Sequence, residues 1–313
     1  MASIVFMGTP AFAVPSLERL MDAGHDVRAV VTRPDRPRGR GLAMAASEVK
    51  AAALRHGLRV FEPARLKDED FLNALRGLAP DFIIVVAYGK ILPESVLSIP
   101  PKGCVNLHAS LLPKYRGAAP INRAIMNGER TTGVTVMLMD SGMDTGPVLM
   151  KEEVAIDRDD NAGSLSARLS EAGAALLCEA IGRLAEGRLE AVPQDEGLAT
   201  YAPMLKKEDG LIDWGKGAGE ISDLVRGLYP WPGAYTRWRG KLIKIHSCKA
   251  ASTGPHGGQD TLPGTIVAVS SSIFVRCGSG VMEITGVQPE NKRRMTAAEF
   301  IRGNRIETGE RFA

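Results

Sequence analysis

The chain has 313 residues, of which 44% are hydrophobic and 24% are charged, and its formal net charge at pH 7 is +3. This composition is typical of a globular protein with two domains or one large one, and the charge is too small to indicate a polyanionic partner. No apolar run reaches membrane-spanning length, and residues 3–7 already have the pattern of a strand, so we expect neither a membrane helix nor a signal peptide. The four cysteines are scattered without a C-x-x-C pair. They predict reduced thiols in a cytoplasmic protein, with no disulfide framework and no zinc site.

The first residues have the pattern of a doubly wound α/β domain. Residues 3–7 form an apolar strand, Gly8-Thr9-Pro10 supplies a turn, and a helical pattern runs through Met21. Gly suits the tight turn, Thr9 can cap the helix, and Pro suits the first helical turn. The G-x-G-x-x-G spacing of a dinucleotide site is absent from this turn, which argues against NAD binding here.

A basic segment follows the second strand, which we predict over residues 26–32. Residues 33–41 contain four arginines among Pro and Gly, a composition that predicts a loop without a regular element. Two interpretations stay open. The segment is either a solvated surface loop or an arm that contacts phosphate, since Arg binds phosphate through its planar fork.

Strands and helices alternate from here to residue 189. We predict helices over residues 47–56, 68–77, 117–128 and 161–186, and strands over residues 58–61, 82–88, 104–108, 133–139 and 147–154. The glycine-rich connector 140–146 predicts a hairpin-like loop, so one of the two strands that flank it runs antiparallel. The alternation predicts a mostly parallel sheet with helices on both faces, formed by residues 1–189.

The pattern changes after residue 189. Residues 190–206 have no clear period, and we predict a linker. Residues 207–313 contain five short β-like runs with Gly turns, which predict a small β-barrel of the OB type. This part carries 15 Lys and Arg against 11 Asp and Glu. The excess indicates a polyanionic partner or only a solvated surface.

Three polar side chains share one face at the end of the predicted strand 104–108. Asn106, His108 and Ser110 alternate with apolar residues, and successive strand side chains point to opposite faces. Ligands of open α/β sheets bind at the carboxyl ends of the strands, and the loop that contains Asp144 can fold over the same edge. A His beside a carboxylate suits proton transfer. An Asn amide can hydrogen-bond an oxygen that becomes negative during acyl transfer.

The same residues allow other interpretations. His108 and Asp144 also fit a structural pair that ties a loop to the sheet. A hydrolase triad of His108, Ser110 and Asp144 is disfavoured, because no G-x-S-x-G elbow surrounds the serine. We expect Ser110 to hold the loop or a ligand.

Residues 106–113 (NLHASLLP) together with residues 140–146 (DSGMDTG) resemble the active-site signature of the folate-dependent formyltransferases. Further motifs narrow the resemblance to the methionyl-tRNA formyltransferases: FMGTP at 6–10, the basic segment 33–41, VVAYG at 85–89, RGAAPI at 116–121 and PWP at 230–232. The resemblance covers essentially the whole chain. It implies a Rossmann-like formyltransferase domain followed by an OB-like domain that binds tRNA.

The resemblance also implies the reaction. The formyl donor is 10-formyltetrahydrofolate, the acceptor is the amino group of methionyl initiator tRNA, and the product serves translation initiation. The catalytic residues implied are Asn106, His108 and Asp144, with no metal. The neutral amine attacks the formyl carbon, Asn106 and His108 stabilise the oxyanion, and Asp144 orients or charges His108 and relays protons.

Binding residues follow from the same resemblance. Folate is expected on Ser110, Leu111, Leu112 and Pro113, with the backbone of Ala87, Tyr88 and Gly89 nearby. Contacts with tRNA are expected from Arg36, Arg38, Arg40, Lys241, Lys244, Arg293 and Arg294. The four residues of the C-terminal part, Lys241 to Arg294 in this list, could equally well be solvated surface residues that bind nothing. The family further suggests a monomer.

Two alternative functions are weighed against this one. A formyltransferase that acts on a sugar nucleotide or another small amine would share the same catalytic trio. The basic segment and the basic C-terminal part favour tRNA as the acceptor. A non-catalytic nucleic-acid-binding protein would leave Asn106, His108 and Asp144 without a purpose.

Overall fold

The structure, a computed structural model, describes residues 1–38, 43–251 and 261–313. Contacts between residues divide the chain into two units. The first contains residues 1–120, 131–155 and 166–203, and the second contains residues 121–130, 156–165 and 204–313. The domain boundaries expected at residues 189 and 206 stay predictions.

A seven-stranded sheet is the centre of the first unit. The first nine strands of the chain are β1 Ser3–Gly8, β2 Asp26–Val31, β3 Arg36–Arg38, β4 Ala43–Ala45, β5 Val60–Phe61, β6 Phe82–Val86, β7 Cys104–His108, β8 Thr131–Leu138 and β9 Val148–Ala155. The sheet has the order β5-β2-β1-β6-β7-β8-β9. Strand β8 is antiparallel to both of its neighbours, and the other pairs are parallel. This confirms the predicted mostly parallel sheet with one antiparallel strand.

The central strands are buried because helices and loops cover both faces of a parallel sheet. Every residue of β1, β6 and β7 is buried. The strand order reverses between β1 and β6, since β2 lies on one side of β1 and β6 on the other. A crevice at the carboxyl ends of the strands is the usual ligand site at such a reversal. Strand β7, next to β6, therefore ends close to that crevice.

The described residues up to 185 form these α-helices: α1 Val14–Asp22, α2 Glu48–Arg55, α3 Glu69–Gly77, α4 Glu94–Leu97, α5 Pro120–Met126 and α6 Ala162–Ala185. Side chains of Ser47 and Asp68 cap α2 and α3 by accepting hydrogen bonds from backbone N–H groups. The expected cap by Thr9 is wrong. A 3-10 turn over Ala11–Ala13 precedes α1, and the Thr9 hydroxyl donates to the carbonyl of Tyr88 at 3.2 Å instead. No helix in the described ranges is both long enough and apolar enough to traverse a bilayer.

The basic segment after β2 differs from the loop predicted for it. Strand β3 pairs with β4 in antiparallel register, with Pro37 opposite Met44. In a two-stranded ladder each strand is an edge strand, so a proline can sit where its missing N–H faces away from the partner. In the described part of this segment, residues 33–35 are therefore irregular as predicted, while residues 36–38 form a strand that pairs with β4 beyond the segment.

An antiparallel sheet forms most of the second unit. Its strands are β10 Ala234–Trp238, β11 Lys241–Ala250, β12 Ile266–Val269, β13 Ile273–Arg276, β14 Val281–Pro289 and β15 Met295–Thr296, and its helices include α7 Ala218–Gly227 and α8 Ala297–Asn304. The strand order is β10-β11-β14-β13-β12, and β15 pairs with β14. The five longer strands lie where five short β-like runs are predicted.

Residues 309–313 bond both edges of this sheet. On the β10 side, Arg237 and Ala313 exchange two backbone hydrogen bonds of 2.9 Å. On the β12 side, the N–H of Ile266 donates to the carbonyl of Glu310 at 2.8 Å. One segment therefore joins the two ends of the strand order. This closure is consistent with the predicted OB-like barrel.

An aromatic ring of the segment 309–313 packs against a second ring in the core. Trp214 stacks on Phe312, with ring centroids 5.8 Å apart and an interplanar angle of 19°. The indole Nε1 of Trp214 donates to the Thr236 hydroxyl at 3.0 Å, and that hydroxyl donates to the carbonyl of Ala313 at 3.0 Å. The buried polar groups are thus satisfied while the rings fill the core.

We predict that Phe312→Ala destabilises the second unit by about 3–5 kcal/mol, since it removes a stacked ring that is 1% exposed. Phe274→Ala is the matched control, because Phe274 on β13 is only half-buried. Differential scanning calorimetry measures both variants, because two units need not unfold in one transition. Equal destabilisation of the two variants would contradict the packing described for Phe312.

Candidate active site

Strand β7 carries Asn106 and His108 to the carboxyl end of the sheet. The two residues are two positions apart and share one face, and their exposed fractions are 8% and 6%. The Asn106 amide has no hydrogen-bond partner among the described residues. Its donor and acceptor groups are therefore available to a ligand.

Both nitrogens of the His108 ring face oxygen atoms. Nε2 lies 3.0 Å from the carbonyl oxygen of Tyr115, and because a carbonyl only accepts, Nε2 carries a proton in this arrangement. Nδ1 lies 3.7 Å from Asp144 Oδ2, which is longer than a direct hydrogen bond. A small polar group of a substrate can contact Nδ1 and the carboxylate together. The arrangement suits a proton acceptor at Nδ1 with a negative charge beside it.

The loop over residues 140–146 brings Asp144 to this edge. Its Oδ2 accepts a hydrogen bond of 2.8 Å from the N–H of Gly117. Asp140 ties the tip of the loop, because its Oδ1 accepts from the Thr145 hydroxyl at 2.7 Å and from the N–H of Gly142 at 3.0 Å. The structure thus brings the three predicted catalytic residues to one edge, while their roles stay predictions.

A turn at residues 115–117 contacts both the histidine and the aspartate. Its last residue, Gly117, has φ 119°, and a Cβ there would lie 2.8 Å from the carbonyl oxygen of Ala202. Glycine is therefore required at this position. The N–H of Ala202 donates to the carbonyl of Arg116 at 2.7 Å. Part of the predicted linker 190–206 consequently packs beside the site.

The turn that directly follows β7 contains four of the predicted folate residues. Ser110 and Leu112 are fully buried. The Ser110 hydroxyl donates to the carbonyl of Lys114 at 2.6 Å, and the Ser110 carbonyl accepts from the Thr135 hydroxyl at 2.6 Å. The N–H of Leu112 donates to the same hydroxyl at 3.1 Å. These groups hold the turn, so the half-buried surface left for a ligand is apolar and comes from Leu111 and Pro113.

The other three predicted folate residues follow β6, the neighbour of β7. Ala87 and Gly89 are exposed and adopt φ values of 47° and 77°. The side chain of Tyr88 lies in the apolar core of the sheet. Burial raises the pKa of Tyr88 to about 12, so its hydroxyl stays protonated at neutral pH. A ligand at this turn can therefore contact only the backbone and the small residues Ala87 and Gly89.

Two of the predicted tRNA residues in the barrel gather around His246. Burial lowers the pKa of His246, and the positive charges of Arg294 and Lys244 lower it further, so this imidazole is neutral at neutral pH. Lys244 Nζ donates to the carbonyl of Pro232 at 3.0 Å, and the guanidinium of Arg294 lies 5.9 Å from the Tyr229 ring centroid. The cationic charge of this cluster therefore comes from the lysine and the arginine.

The remaining predicted tRNA residues lie elsewhere. Lys241 is exposed at the start of β11, and Arg293 is exposed with its guanidinium 3.5 Å from the carboxylate of Glu299. Arg40 lies outside the described residues, as do the side chains of Arg36 and Arg38 on β3. Their contacts with tRNA stay predictions.

In residues 1–38, 43–251 and 261–313, no three His, Cys, Asp or Glu side chains are placed to bind a metal ion together.

Two family models match this chain. One, described as formyl transferase, matches residues 1–181, and the other, described as formyl transferase, C-terminal domain, matches residues 204–305. The chain belongs to the formyl transferase family. Among curated relatives, the methionyl-tRNA formyltransferase of Caldanaerobacter subterraneus is 48% identical over 307 residues, which cover 98% of this chain and 98% of the relative.

Solved structures share the fold of this formyl transferase. An N-formyltransferase from Helicobacter canadensis, in complex with folinic acid and dTDP-3-aminofucose, has a TM-score of 0.68 and 18% identity, and covers 93% of this chain and 100% of its own. HypX from Aquifex aeolicus, in complex with tetrahydrofolic acid, has a TM-score of 0.63 and 18% identity over 95% of this chain and 46% of its own. The present chain thus spans about half the length of HypX. At this identity the likeness shows the fold alone.

Some residues that contact the site of this formyl transferase are given no role from the sequence. Arg116 and Gly117 stand in the RGAAPI motif, so the resemblance is a signal that they matter. Gln194 and Thr200 lie in the irregular stretch 190–206. No period or motif marks them, because their contacts are made by irregular chain with partners far away in sequence.

We predict that Gly117→Ala destabilises the first unit by about 2 kcal/mol or more, because it adds both backbone strain and a contact with the Ala202 carbonyl. Gly187→Ala is the control. Gly187 also has a positive φ, 69°, but a Cβ there meets nothing within 4 Å, so only the strain of about 1 kcal/mol is expected. Urea unfolding measures both. A loss for Gly117→Ala no larger than that of the control would refute the close approach.

Proposed function

We propose that this formyl transferase transfers the formyl group of 10-formyltetrahydrofolate to the amino group of methionyl initiator tRNA, for translation initiation. The relative from Caldanaerobacter subterraneus is named for methionyl-tRNA and matches over 98% of both chains. The folate donor is supported by family membership and by solved neighbours in complex with folate derivatives. The acceptor is supported by the basic C-terminal part, which the small-amine alternative does not need.

One observation carries the chemistry: His108 Nδ1 faces Asp144 Oδ2 at 3.7 Å, on the same edge as the unpartnered amide of Asn106. The two atoms are close enough for one amine that lies beside them to contact both groups. With the proton on Nε2, the lone pair of Nδ1 can accept a proton from the attacking amine. The carboxylate then attracts the imidazolium that forms, because opposite charges at this distance stabilise each other in a buried site.

The second requirement of formyl transfer is a donor for the developing oxyanion. Addition of the amine to the formyl carbon places negative charge on the formyl oxygen. The Asn106 amide can donate to that oxygen, and a protonated His108 can donate as well. Both side chains are fixed by β7, so little reorganisation is needed as the charge develops. When the adduct collapses, the bond between the formyl carbon and N10 of the folate breaks, and the proton that His108 accepted passes to N10 as tetrahydrofolate leaves. The reaction therefore needs no covalent intermediate with the enzyme.

The folate site is proposed along the edge formed by β6 and β7. Leu111 and Pro113 offer apolar contacts, while the exposed backbone at Ala87 and Gly89 can pair with the donors and acceptors of a pterin ring. Ser110 and Leu112 would act indirectly, since their polar groups bond within the protein.

The tRNA surface is proposed on basic side chains of the barrel and of the basic segment. On the barrel it comprises Lys241, Lys244, Arg293 and Arg294, with Arg36, Arg38 and Arg40 of the basic segment as further contacts. Lys244 is the least available of the barrel residues, because it is half-buried and its Nζ already donates to the carbonyl of Pro232, whereas the surface ion pair with Glu299 leaves Arg293 exposed. We also propose a cytoplasmic monomer, with domains 1–189 and 207–313 joined by residues 190–206.

We expect His108→Ala to lower kcat for formylation of methionyl initiator tRNA by at least about 100-fold, since it removes the proton acceptor. His56→Ala is the control, because His56 is a partly exposed histidine near Glu18 on the surface. The assay uses 10-formyltetrahydrofolate with three acceptors: methionyl initiator tRNA, methionyl elongator tRNA and an amino-sugar nucleotide.

The initiator tRNA should be the preferred acceptor of the unaltered enzyme. Preference for the amino-sugar nucleotide would overturn the proposed acceptor. Full activity of folded His108→Ala would overturn the proposed catalytic assignment.

Binding of tRNA should weaken steeply with salt, because phosphate contacts release counterions. We expect Arg294→Gln to reduce the slope of log K against log salt by about 1. Lys249→Gln is the control on β11, since Lys249 is exposed and already lies 3.3 Å from the carboxylate of Glu283. Fluorescence anisotropy at several salt concentrations gives the slopes. Equal slopes for Arg294→Gln and the unaltered protein would exclude Arg294 from the tRNA surface.

A further inference from the structure

Asp144 adopts an unfavourable backbone conformation. Its φ of 56° lies in the left-handed region, which is uncommon for residues with a side chain. Such a conformation persists only where surrounding contacts hold it. The hydrogen bond from Gly117 holds the carboxylate. The backbone of the loop needs a separate constraint.

Gln194 supplies that constraint. Its Nε2 donates to the carbonyl of Asp144 at 2.9 Å and to the carbonyl of Gly146 at 2.7 Å. Its Oε1 accepts from Arg116, at 2.8 Å from Nη2 and 3.2 Å from Nε. Two acceptors face the nitrogen and two donors face the oxygen, so only one orientation of the amide satisfies all four contacts.

Arg116 anchors the glutamine in turn. Its side chain is 1% exposed, and a buried guanidinium needs partners for its charge and donors. It binds Glu196 in a bidentate pair of 2.7 Å and 2.8 Å, and these hydrogen bonds lower the pKa of Glu196. The guanidinium therefore holds two residues of one irregular segment.

Backbone contacts fix that segment on both sides of Gln194. Val192 exchanges two hydrogen bonds of 2.8 Å with Val148, the first residue of β9. Farther along, the carbonyl of Thr200 accepts from the N–H of Arg116 at 2.8 Å. The amide of Gln194 is thus held in place independently of the loop that it contacts.

We propose that Gln194 is a positioning residue for Asp144. By holding the carbonyls on both sides of Thr145, it keeps the Asp144 carboxylate facing His108 Nδ1. This inference rests on the proposed function, because it assumes that Asp144 assists formyl transfer. Gln194 itself touches no reacting atom.

Gln194→Glu tests the proposal, since it keeps the shape and the acceptor for Arg116 but turns a carboxylate oxygen toward two carbonyl oxygens. We expect kcat to fall at least about tenfold, with KM for folate and for tRNA changed less than threefold, because substrate binding does not involve this residue. In an Asp144→Asn background, the same substitution should change kcat less than twofold. Asp144→Asn already removes the carboxylate that Gln194 is proposed to position, so the second substitution should have little further effect on kcat.

Equal losses in the two backgrounds would overturn the positioning role. Full activity of Asp144→Asn alone would instead refute the catalytic assignment made above, so the two failures are distinguishable. Asp195→Ala is the matched control: it loosens the same segment by removing the carboxylate that accepts from the N–H of Gly197 at 2.9 Å, but it leaves the contacts of Gln194 and Arg116 intact, so kcat should stay within twofold. If the control lost as much kcat as Gln194→Glu, the whole segment rather than the Gln194 amide would support the site, and the proposal would be wrong.

Thermal unfolding checks that the variants are folded in the assay. Gln194→Met is the second variant, similar in length but without donors, and we expect the same loss in kcat with KM unchanged. If both Gln194 variants are unfolded at the assay temperature while Asp195→Ala is folded, the role is structural and the proposal is wrong.

Discussion

Strand β7 ends in two polar side chains that are almost completely buried, and the described elements around them supply partners for only one of them, the histidine. The His108 ring has the Tyr115 carbonyl at one nitrogen and the Asp144 carboxylate near the other. The Asn106 amide is left for a ligand. Because the strand fixes the backbone of both residues, their donors and acceptor need little movement in the proposed reaction, which develops charge on a formyl oxygen.

The local part of this arrangement is visible in the sequence. Alternation over residues 104–110 places three polar side chains on one face, and the glycine-rich connector 140–146 predicts a loop between paired strands. Ser110 shows the limit of that pattern. Its hydroxyl bonds to the carbonyl of Lys114 and holds the turn, so a residue on the polar face need not meet the substrate.

The hydrogen bonds that hold Asp144 in place could not be predicted from the sequence. Gly117 is 27 residues from Asp144 and Gln194 is 50 residues away, and both bond through irregular chain. Periodicity reports only neighbours along one element. For the same reason the sequence identifies the five longer barrel strands but not the segment 309–313, which has no alternation and pairs with strands far along the chain.

Closure of the barrel has a consequence for association between molecules. A strand with unpaired N–H and C=O groups is a template on which another chain can add a strand, and natural β proteins avoid leaving such a strand open. Residues 309–313 pair with β10 on one side and with residues beside β12 on the other. The backbone groups of Arg237 at one end of the strand order and of Ile266 at the other are thereby paired, so these positions offer no template for strand addition. In the proposed tRNA complex, contacts at the exposed Lys241 and Arg293 would therefore depend on charge rather than on strand pairing.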